Sequence, residues 1–435
     1  MPALEHKQVV TAFLRSKDRI LLLRRSKRVG SYQGKWAAVS GYLEGGEDAL
    51  ARAQIEIEEE VGLTGERIKL VRAGQLLRVY DEQKRTVWLV HPFLFDITER
   101  EVRIDWEHSD YKWGSPDELT TYDAVPRLKQ AFDRVRWDLQ IIPSAMSKVN
   151  ETIENIARDR TNGASLLGRK AIAAFEEAIH LSTAISIDDL FRDLLLITLK
   201  LRAAQPSMAT ITNLTGSLLY KLDSRREATK SLAEFKTYAE DLTTETISNC
   251  KVTAEQVSRN LSNNIRENLR ILTHSYSGTV KRALQLCHNE GKNLRIYATE
   301  SEPGSEGRKL ARDLTQLGLH VTLLSDKTIG YGHFPFEIDA VVIGADSILV
   351  DGSIVNKIGT EDIALVANKE RVPLYVASET SKLHTMHFLG EPLEIGGLFE
   401  ITSSNLITAI VTERGNMKPR DIEAQMKNQI RELYT

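Results

Sequence analysis

The hydrophobic pattern of this chain changes its period twice along 435 residues. Short apolar runs typical of β-strands dominate up to about residue 120, with one helical stretch over residues 48–63. From about residue 124 to residue 271, apolar residues recur every three or four positions, as in amphipathic helices. From about residue 294, short apolar runs alternate with helical segments, the pattern of a parallel sheet covered by helices. The sequence therefore predicts a multidomain protein: an α+β domain, then a helical domain and a doubly wound α/β domain.

Bulk composition excludes several classes of protein. The 42% hydrophobic content suits globular folding, and a net charge of −3 gives no global signal for nucleic-acid binding. Only two cysteines, Cys250 and Cys287, occur, so we expect a reducing, cytoplasmic setting with both thiols as inert packing residues. The first residues do not resemble a signal peptide, and no apolar run is long enough to span a bilayer. We expect a soluble protein with no membrane partner.

The helical stretch within the first domain carries closely spaced carboxylates. Glu56, Glu59 and Glu60 stand at i, i+3 and i+4, so they project from one helix face, where like charges repel. A divalent cation such as Mg²⁺ or Mn²⁺ would neutralise that repulsion and could clamp substrate phosphates. Gly41, just before the helix, allows a tight loop close to such a ligand. The charge pattern alone is equally typical of a solvated acidic helix face, which is the commoner case.

The full spacing resembles the Nudix box, which reads Gly, five residues, Glu, seven residues, then R-E-U-x-E-E-x-G-U with U a bulky aliphatic residue. The matching positions are Gly41, Glu47, Glu56, Ile57, Glu59, Glu60, Gly62 and Leu63. This resemblance implies a Nudix fold over residues 1–122 that hydrolyses a compound linked to a nucleoside diphosphate. It also implies that Glu56, Glu59 and Glu60 bind metal, and that one of them or Glu47 helps to activate water.

One position departs from the box, because Ile55 stands where the family has an arginine that orients a catalytic glutamate. Arg52 lies four residues before Glu56 and seven before Glu59, on the same helix face. We hypothesise that Arg52 replaces the missing arginine. The alternative is a Nudix fold with weakened or lost hydrolysis. Three tryptophans could stack on a substrate base, although packing is the expected role of each: Trp36, Trp88 and Trp106.

In the doubly wound domain, ligands are expected beyond the carboxyl ends of the strands. Five polar residues follow the apolar runs there: Thr299, Glu300, Asp346, Glu379 and Lys382. The segment 341–382, above all residues 344–360, resembles one group of proteins. The group comprises the α/β/δ regulatory subunits of eukaryotic initiation factor 2B, ribose-1,5-bisphosphate isomerase and 5-methylthioribose-1-phosphate isomerase. The resemblance implies a helical part over residues 145–270, a Rossmann-like part over residues 271–435, a connecting helix over residues 123–144, and a homo-oligomer formed through this half.

The isomerases of that group use a cysteine and an aspartate. Asp346 matches the aspartate, but Ser275 stands at the cysteine position, and a hydroxyl needs its own activating base. We interpret the adjacent His274 as structural. Two arginines that can meet substrate phosphate in the isomerases are replaced here by Gln205 and Glu302. These changes favour a regulatory or binding domain that has kept the fold.

A ligand pocket can still exist in this half, because Gly344, Asn356, Lys357 and Gly359 remain, although they could equally shape a loop. The sequence therefore predicts a Mg²⁺-dependent Nudix pyrophosphohydrolase fused to a module that binds a sugar phosphate or nucleotide. One alternative is a sugar-phosphate isomerase with Asp346 as general acid and base. The other is a nonenzymatic scaffold related to translation factors.

Overall fold

The computed structural model describes residues 4–159 and 162–434 and divides the chain into two compact units. The first unit extends to Ile141, and the second extends from Ile142 to Tyr434. The finer domain limits at residues 122, 144 and 270 stay predictions. In the described part of the chain, every helix is too short or too polar to cross a bilayer.

The first unit is built on a mixed sheet of eight strands. β1 pairs parallel with β7 and antiparallel with β2 and β4, which makes β1 and β7 its centre. The strands of the described residues are β1 (Glu5–Ser16), β2 (Arg19–Arg25), β3 (Trp36–Ala37), β4 (Val39–Tyr42), β5 (Ile68–Ala73), β6 (Leu77–Asp81), β7 (Thr86–Ile97) and β8 (His108–Gly114).

Two helices cover opposite faces of that sheet: α1 (Ala49–Val61) and α2 (Leu128–Arg136). Successive residues of a strand point to opposite faces. Leu14 of β1 accordingly packs in the core that includes Ile57 of α1, while Phe13 packs in the core that includes Phe132 of α2. The rings of Phe13 and Phe132 meet edge-to-face at 5.1 Å. The α+β architecture predicted for this part of the chain is confirmed, and the predicted connecting helix packs inside the first unit.

The second unit begins with helices, as predicted. They are α3 (Ser147–Arg158), α4 (Ala164–Leu181), α5 (Ile187–Ala204), α6 (Ala209–Arg226) and α7 (Leu232–Asn264). The apolar spacing predicts separate helices, one of them across residues 218–242, and a helical pattern up to about residue 271; the structure departs from it at two places. The chain leaves helical geometry over residues 227–231, where the Ser231 hydroxyl caps α7 by accepting a hydrogen bond from Glu234 N at 3.2 Å. It leaves again after Asn264, ahead of a strand that starts at Arg270.

The remainder of the second unit is a seven-stranded sheet with helices, in the order β11-β10-β9-β12-β15-β17-β18. All neighbours are parallel except β17 and β18. Its strands are β9 (Arg270–Thr273), β10 (Arg295–Thr299), β11 (His320–Leu324), β12 (Ala340–Gly344), β15 (Leu374–Ala377), β17 (Ala409–Thr412) and β18 (Gly415–Met417). A separate antiparallel sheet contains β13 (Ser347–Ile348), β14 (Ile354–Lys357) and β16 (Phe399–Thr402).

The helices that accompany these strands are α8 (Gly278–Asn289), α9 (Glu306–Gln316), α10 (Thr360–Glu370), α11 (Thr385–Phe388) and α12 (Ile422–Ile430). The strand order reverses direction around β9 and β12, and a doubly wound sheet opens its ligand crevice at such a point. The predicted helical part followed by a parallel α/β part is confirmed.

Candidate functional site

The acidic helix α1 is fixed at both ends by its own sequence. The Asp48 carboxylate caps its amino end by accepting a hydrogen bond from Ala51 N at 2.8 Å. Gly62 ends it in the left-handed region at φ 72°, a conformation that favours glycine, and its N–H bonds to the Glu58 carbonyl at 3.0 Å. Because both ends are fixed, the carboxylates between them occupy defined positions.

Glu56 and Glu59 line a cleft of about 410 Å³ in the first unit. Glu56 lies against the backbone of Gly41, where a Cβ atom would fall 1.6 Å from its Oε1, so any side chain at position 41 would displace the Glu56 carboxylate from this position. Arg52 forms an ion pair with Glu56 and has its Nη2 atom 3.8 Å from Glu59 Oε2. Burial raises the pKa of Glu56 above its usual range, although Arg52 opposes that shift. Ile55, in contrast, is 44% exposed.

Glu60 is buried, with 2% of its surface exposed, and is absent from the lining of the cleft. Its Oε1 accepts a hydrogen bond from Ser40 N at 3.2 Å. Its Oε2 has no hydrogen-bond partner among the described residues and lies 3.6 Å from His108 Nε2. His108 Nδ1 is 2.9 Å from Asp105 Oδ1. Burial raises the pKa of Glu60 well above its ordinary value and lowers that of His108.

Sequence reasoning did not single out Asp105 and His108. No local spacing links either residue to the acidic helix, which ends more than 40 residues before them. Glu47 also differs from the other box glutamates. It is exposed, accepts a hydrogen bond from Glu44 N at 2.9 Å, and is absent from the cleft lining.

The donor set of this region fits a hard divalent cation. Such ions take carboxylate oxygens, and the Oε2 atom of Glu60 is a buried acceptor with no hydrogen bond from the described residues. The carboxylates are not gathered around one point, since no cluster of three or more His, Cys, Asp or Glu residues with metal-binding geometry occurs within residues 4–159 and 162–434. Glu56 is instead held by Arg52. A cation at this site would therefore compete with that arginine.

Aromatic and basic side chains also line the cleft, among aliphatic ones. Tyr32, Tyr42 and Trp88 line it, and so does Trp106, which is 58% exposed. Trp36 is absent from the lining and packs instead against another ring of the first unit, Tyr122, at 6.0 Å. Arginine side chains also reach the cleft: Arg25, Arg28, Arg52 and Arg127.

A second pocket, of about 430 Å³, opens in the second unit at the carboxyl ends of β9 and β12. It brings together most of the residues singled out for this half of the chain: Ser275, Gly344, Asp346, Asn356, Lys357, Glu379 and Lys382. Thr299, Glu300 and Gly359 are absent from its lining. The amino ends of α4 and α8 contribute to the same lining. Helix amino ends present free N–H groups and favour anions. The pocket is therefore suited to an anionic ligand.

Ser275 follows β9 directly, with φ at 61°. His274 cannot serve as its base, because both ring nitrogens are occupied. Nδ1 is 2.6 Å from Thr299 Oγ1, and Nε2 is 2.9 Å from the Ile358 carbonyl oxygen. Burial also lowers the pKa of His274. These contacts support the interpretation of His274 as a structural residue at the border of the pocket.

Asp346 is buried beside the amino end of α4 and accepts a hydrogen bond from Ala164 N at 3.3 Å. Burial raises the pKa of Asp346, and the charge of Lys382 opposes the shift. Lys382 is itself buried, donates to the Ala345 carbonyl at 2.9 Å, and pairs with Glu379 at 3.2 Å.

The pKa of Glu379 is shifted in the opposite direction from that of Asp346. Burial alone would raise its pKa, but Lys382 and hydrogen bonds, including one from Thr279 at 3.1 Å, hold the pKa below its usual value. The pocket therefore contains one carboxyl group that burial favours as neutral and one that Lys382 keeps charged.

Three of the pocket residues also make contacts that shape the neighbouring loops. Asn356 Nδ2 donates to Thr360 Oγ1 at 3.1 Å, which ties the strand to α10. Lys357 Nζ pairs with Glu306 at 2.9 Å. Gly344 approaches Ser277 so closely that a Cβ atom would fall 2.8 Å from the serine Oγ. These residues shape the loop while they line the pocket.

The two replaced arginine positions lie outside the pocket lining. Gln205 Nε2 donates to the Ile156 carbonyl at 2.9 Å, and Glu302 lies 3.7 Å from Arg308. Glu300 also pairs with Arg308. The lining has other cations, which sequence reasoning did not identify: Arg169, Lys281, Arg282 and Lys309.

Comparisons with known proteins match the two units separately. A model of the initiation factor 2 subunit family matches residues 160–396, and a model of the NUDIX domain matches residues 5–135. A ribose 1,5-bisphosphate isomerase of Methanocaldococcus jannaschii is 29% identical over 298 residues, covering 64% of this chain and 94% of that protein. A putative translation initiation factor eIF-2B subunit 2-like protein of Pyrococcus furiosus is 30% identical over 292 residues, covering 63% of this chain and 98% of that protein.

Among solved structures, the translation initiation factor eIF-2B of Pyrococcus horikoshii OT3 aligns with a TM-score of 0.54 at 27% identity. The alignment covers 64% of this chain and 99% of that one. A tetrameric eIF2B-beta2-delta2 complex from C. thermophilum aligns with a TM-score of 0.55 over 66% of this chain and 96% of that chain, at 14% identity, and shares the fold.

Proposed function

Because the chain belongs to the initiation factor 2 subunit family and carries a Nudix hydrolase domain, we propose that it hydrolyses a diphosphate bond in a nucleoside diphosphate-linked compound, with a divalent metal. The second unit would bind a sugar phosphate as a regulatory or ligand-binding module. The observation that carries the proposal is the cleft of the first unit, where Glu56 and Glu59 face arginine and aromatic side chains.

In this proposal Glu56, Glu59 and Glu60 hold Mg²⁺ or Mn²⁺. When bound, the ion polarises the phosphorus centre and offsets the negative charge that develops there. Glu59 is the most exposed of the three and is free to accept a proton from the attacking water, and Glu47 is the alternative acceptor. Gly41 lets the Glu56 carboxylate lie against the backbone, which supports its position.

Arg52 would take the place of the arginine that Ile55 replaces. Its guanidinium contacts Glu56 and approaches Glu59, which are the contacts that a positioning arginine needs. It would release Glu56 to the metal while holding Glu59 in place.

The test is incubation of the full chain with Mg²⁺ and a panel of nucleoside diphosphate compounds, including ADP-ribose and dinucleoside polyphosphates. We expect turnover of at least one compound, lost in Glu59→Gln. Glu58→Gln is the matched control, because Glu58 lies on the exposed side of the same helix and is absent from the cleft lining. Absence of hydrolysis across the panel would contradict the proposal and favour a nonenzymatic scaffold.

A second candidate, a sugar-phosphate isomerase, is favoured by one observation: the raised pKa of buried Asp346, which suits a general acid. Ser275 weighs against it, since His274 cannot activate the hydroxyl. We propose that wild-type protein binds ribose 1,5-bisphosphate without forming a ketose, and that Ser275→Cys gains ketose formation that Asp346→Asn then removes. Ketose formation by the wild type would instead establish the isomerase. We also propose that the second unit forms a homo-oligomer, which light scattering of the full chain would test.

A further inference from the structure

Three aromatic rings meet in the cleft of the first unit. The ring centroid of Trp88 lies 6.0 Å from that of Tyr32 and 6.1 Å from that of Tyr42, with the planes tilted by 53° and 39°. Trp88 is nearly buried, whereas Tyr42 is 53% exposed although it lines the cleft. The exposed aromatic surface at this point therefore belongs to the Tyr42 ring, beside the largely covered Trp88.

Strand register places this surface on one face of the sheet. Val9 of β1 lies opposite both Tyr42 of β4 and Val90 of β7. Trp88 is two residues before Val90, so it shares the same face. Val79 of β6 lies opposite Trp88 and extends the apolar surface. All five side chains line the cleft.

The aromatic surface adjoins the acidic helix. Tyr42 directly follows Gly41, against whose backbone the Glu56 carboxylate lies. Arg28, also in the cleft lining, has a guanidinium that forms no hydrogen bond or ion pair with the described residues. The cleft therefore combines the acidic helix with an aromatic surface, and the Arg28 guanidinium is a cation available for phosphate.

The Tyr32 side chain is held by a hydrogen bond and a cation contact in addition to apolar packing. Its φ of 52° lies in the left-handed region, which bulky residues rarely adopt. Its hydroxyl donates to Asp81 at 2.6 Å, and Lys84 Nζ lies 4.3 Å from the ring centroid. The ring is therefore held in one orientation against Trp88.

We infer that Tyr42, Trp88 and Tyr32 form a stacking subsite for the aromatic base of the substrate. This rests on the proposed function, because a diphosphate bound by a metal at Glu56 and Glu59 would direct its organic group into the cleft that these residues share with the three rings. Aromatic side chains stack on any base, so the subsite requires a base at that end of the substrate without selecting which one.

The test measures binding to the full chain by calorimetry, with ADP and base-free imidodiphosphate as probes, in the presence of Mg²⁺. Tyr42→Ala is expected to weaken ADP binding roughly 10- to 100-fold and to leave imidodiphosphate binding unchanged. Tyr42→Phe, which keeps the ring, is expected to retain ADP binding. Tyr111→Ala removes a comparably exposed tyrosine that is absent from the cleft lining and is the matched control.

Several results would overturn the subsite: equal loss for both probes, no loss for ADP, or no ADP binding by the wild type. Loss of ADP binding in Trp106→Ala but not in Tyr42→Ala would also overturn it and assign the base to the rim of the cleft. Failure of the proposed function has a different signature, because a chain that hydrolyses nothing can still bind ADP through Tyr42.

Discussion

At the scale of single residues, the first unit buries a carboxylate that its own fold does not satisfy. Glu60 is 2% exposed, and its Oε2 faces His108 without a hydrogen bond. Burying a carboxylate in this way costs free energy, which raises its pKa. A bound cation would offset that cost. The unsatisfied atom is therefore better explained by a role in binding than by stability.

Glu60→Gln should stabilise the metal-free protein, by roughly 1–3 kcal/mol, and remove the extra stability that Mg²⁺ confers on the wild type. The raised folded-state pKa means that Glu60 favours folding below its unfolded pKa, and that this contribution is lost as pH rises through the folded value. The metal-free wild type should thus lose stability with rising pH relative to the variant. Thermal unfolding with EDTA or Mg²⁺ measures both effects, and a less stable metal-free variant would contradict this explanation.

The side chain of Arg52 gives a second prediction at this scale. Arg52→Ala should lower kcat about 10- to 100-fold, because Glu56 and Glu59 lose their positioning contact. The double variant Arg52→Ala with Ile55→Arg should recover part of the loss, since residue 55 is exposed and lies four positions before Glu59. Steady-state kinetics decide the matter, and unchanged turnover in Arg52→Ala would exclude the surrogate role.

At the scale of secondary-structure elements, the spacing of apolar residues predicts those strands and helices whose pattern is strong. β10, β11, β12 and β15 lie within their predicted runs, because buried parallel strands are short and continuously apolar. β9 was missed, since its four residues follow directly on a helical pattern. The helix break over residues 227–231 was missed because the stretch contains neither glycine nor proline, the residues that most clearly mark a turn.

The sequence predicts only those parts of the candidate sites whose residues lie close together along the chain. Spacing on one helix is local, so Glu56 and Glu59 could be placed together from sequence. Asp105 and His108 reach Glu60 only because the segment before β8 bonds to the end of α1, where Asp105 N donates to the Glu60 carbonyl at 3.2 Å. No local pattern reveals that contact. Strand ends are a weaker guide, because Glu379 and Lys382 reach the pocket while Glu300 pairs with Arg308 outside it.

The prediction at this scale concerns two carboxyl groups that follow β12 and β15. Their substitutions should change the stability of the second unit in opposite directions. Asp346→Asn removes a carboxyl group whose charged form burial disfavours and should stabilise the second unit by about 1 kcal/mol. Glu379→Gln leaves buried Lys382 without its ion-pair partner and should destabilise it by about 3 kcal/mol.

The two carboxyl groups also predict opposite pH dependence. Asp346 has a raised pKa, so its contribution is lost as pH rises through the folded value. Glu379 has a lowered pKa, so its contribution is present above its unfolded pKa and lost as pH falls through the folded value. Chemical denaturation followed by far-UV circular dichroism measures both variants, and shifts of the same sign would refute the assignment.

At the scale of the whole molecule, the two units can be observed separately. All five tryptophans lie in the first unit: Trp36, Trp88, Trp106, Trp113 and Trp137. Tryptophan fluorescence therefore reports the first unit, while circular dichroism is dominated by the helices of the second. Mg²⁺ should raise the unfolding temperature seen by fluorescence, and a sugar phosphate should raise that seen by circular dichroism.

The central claim is that the first unit hydrolyses a diphosphate bond by means of its acidic helix. Phosphorus NMR of the full chain with Mg²⁺ and a nucleoside diphosphate sugar tests it most directly. We predict that the diphosphate signals convert to two phosphomonoester signals, that EDTA stops the conversion, and that Glu59→Gln abolishes it while Glu58→Gln does not. Intact diphosphate signals for every compound of the panel, or equal conversion by Glu59→Gln, would contradict the account.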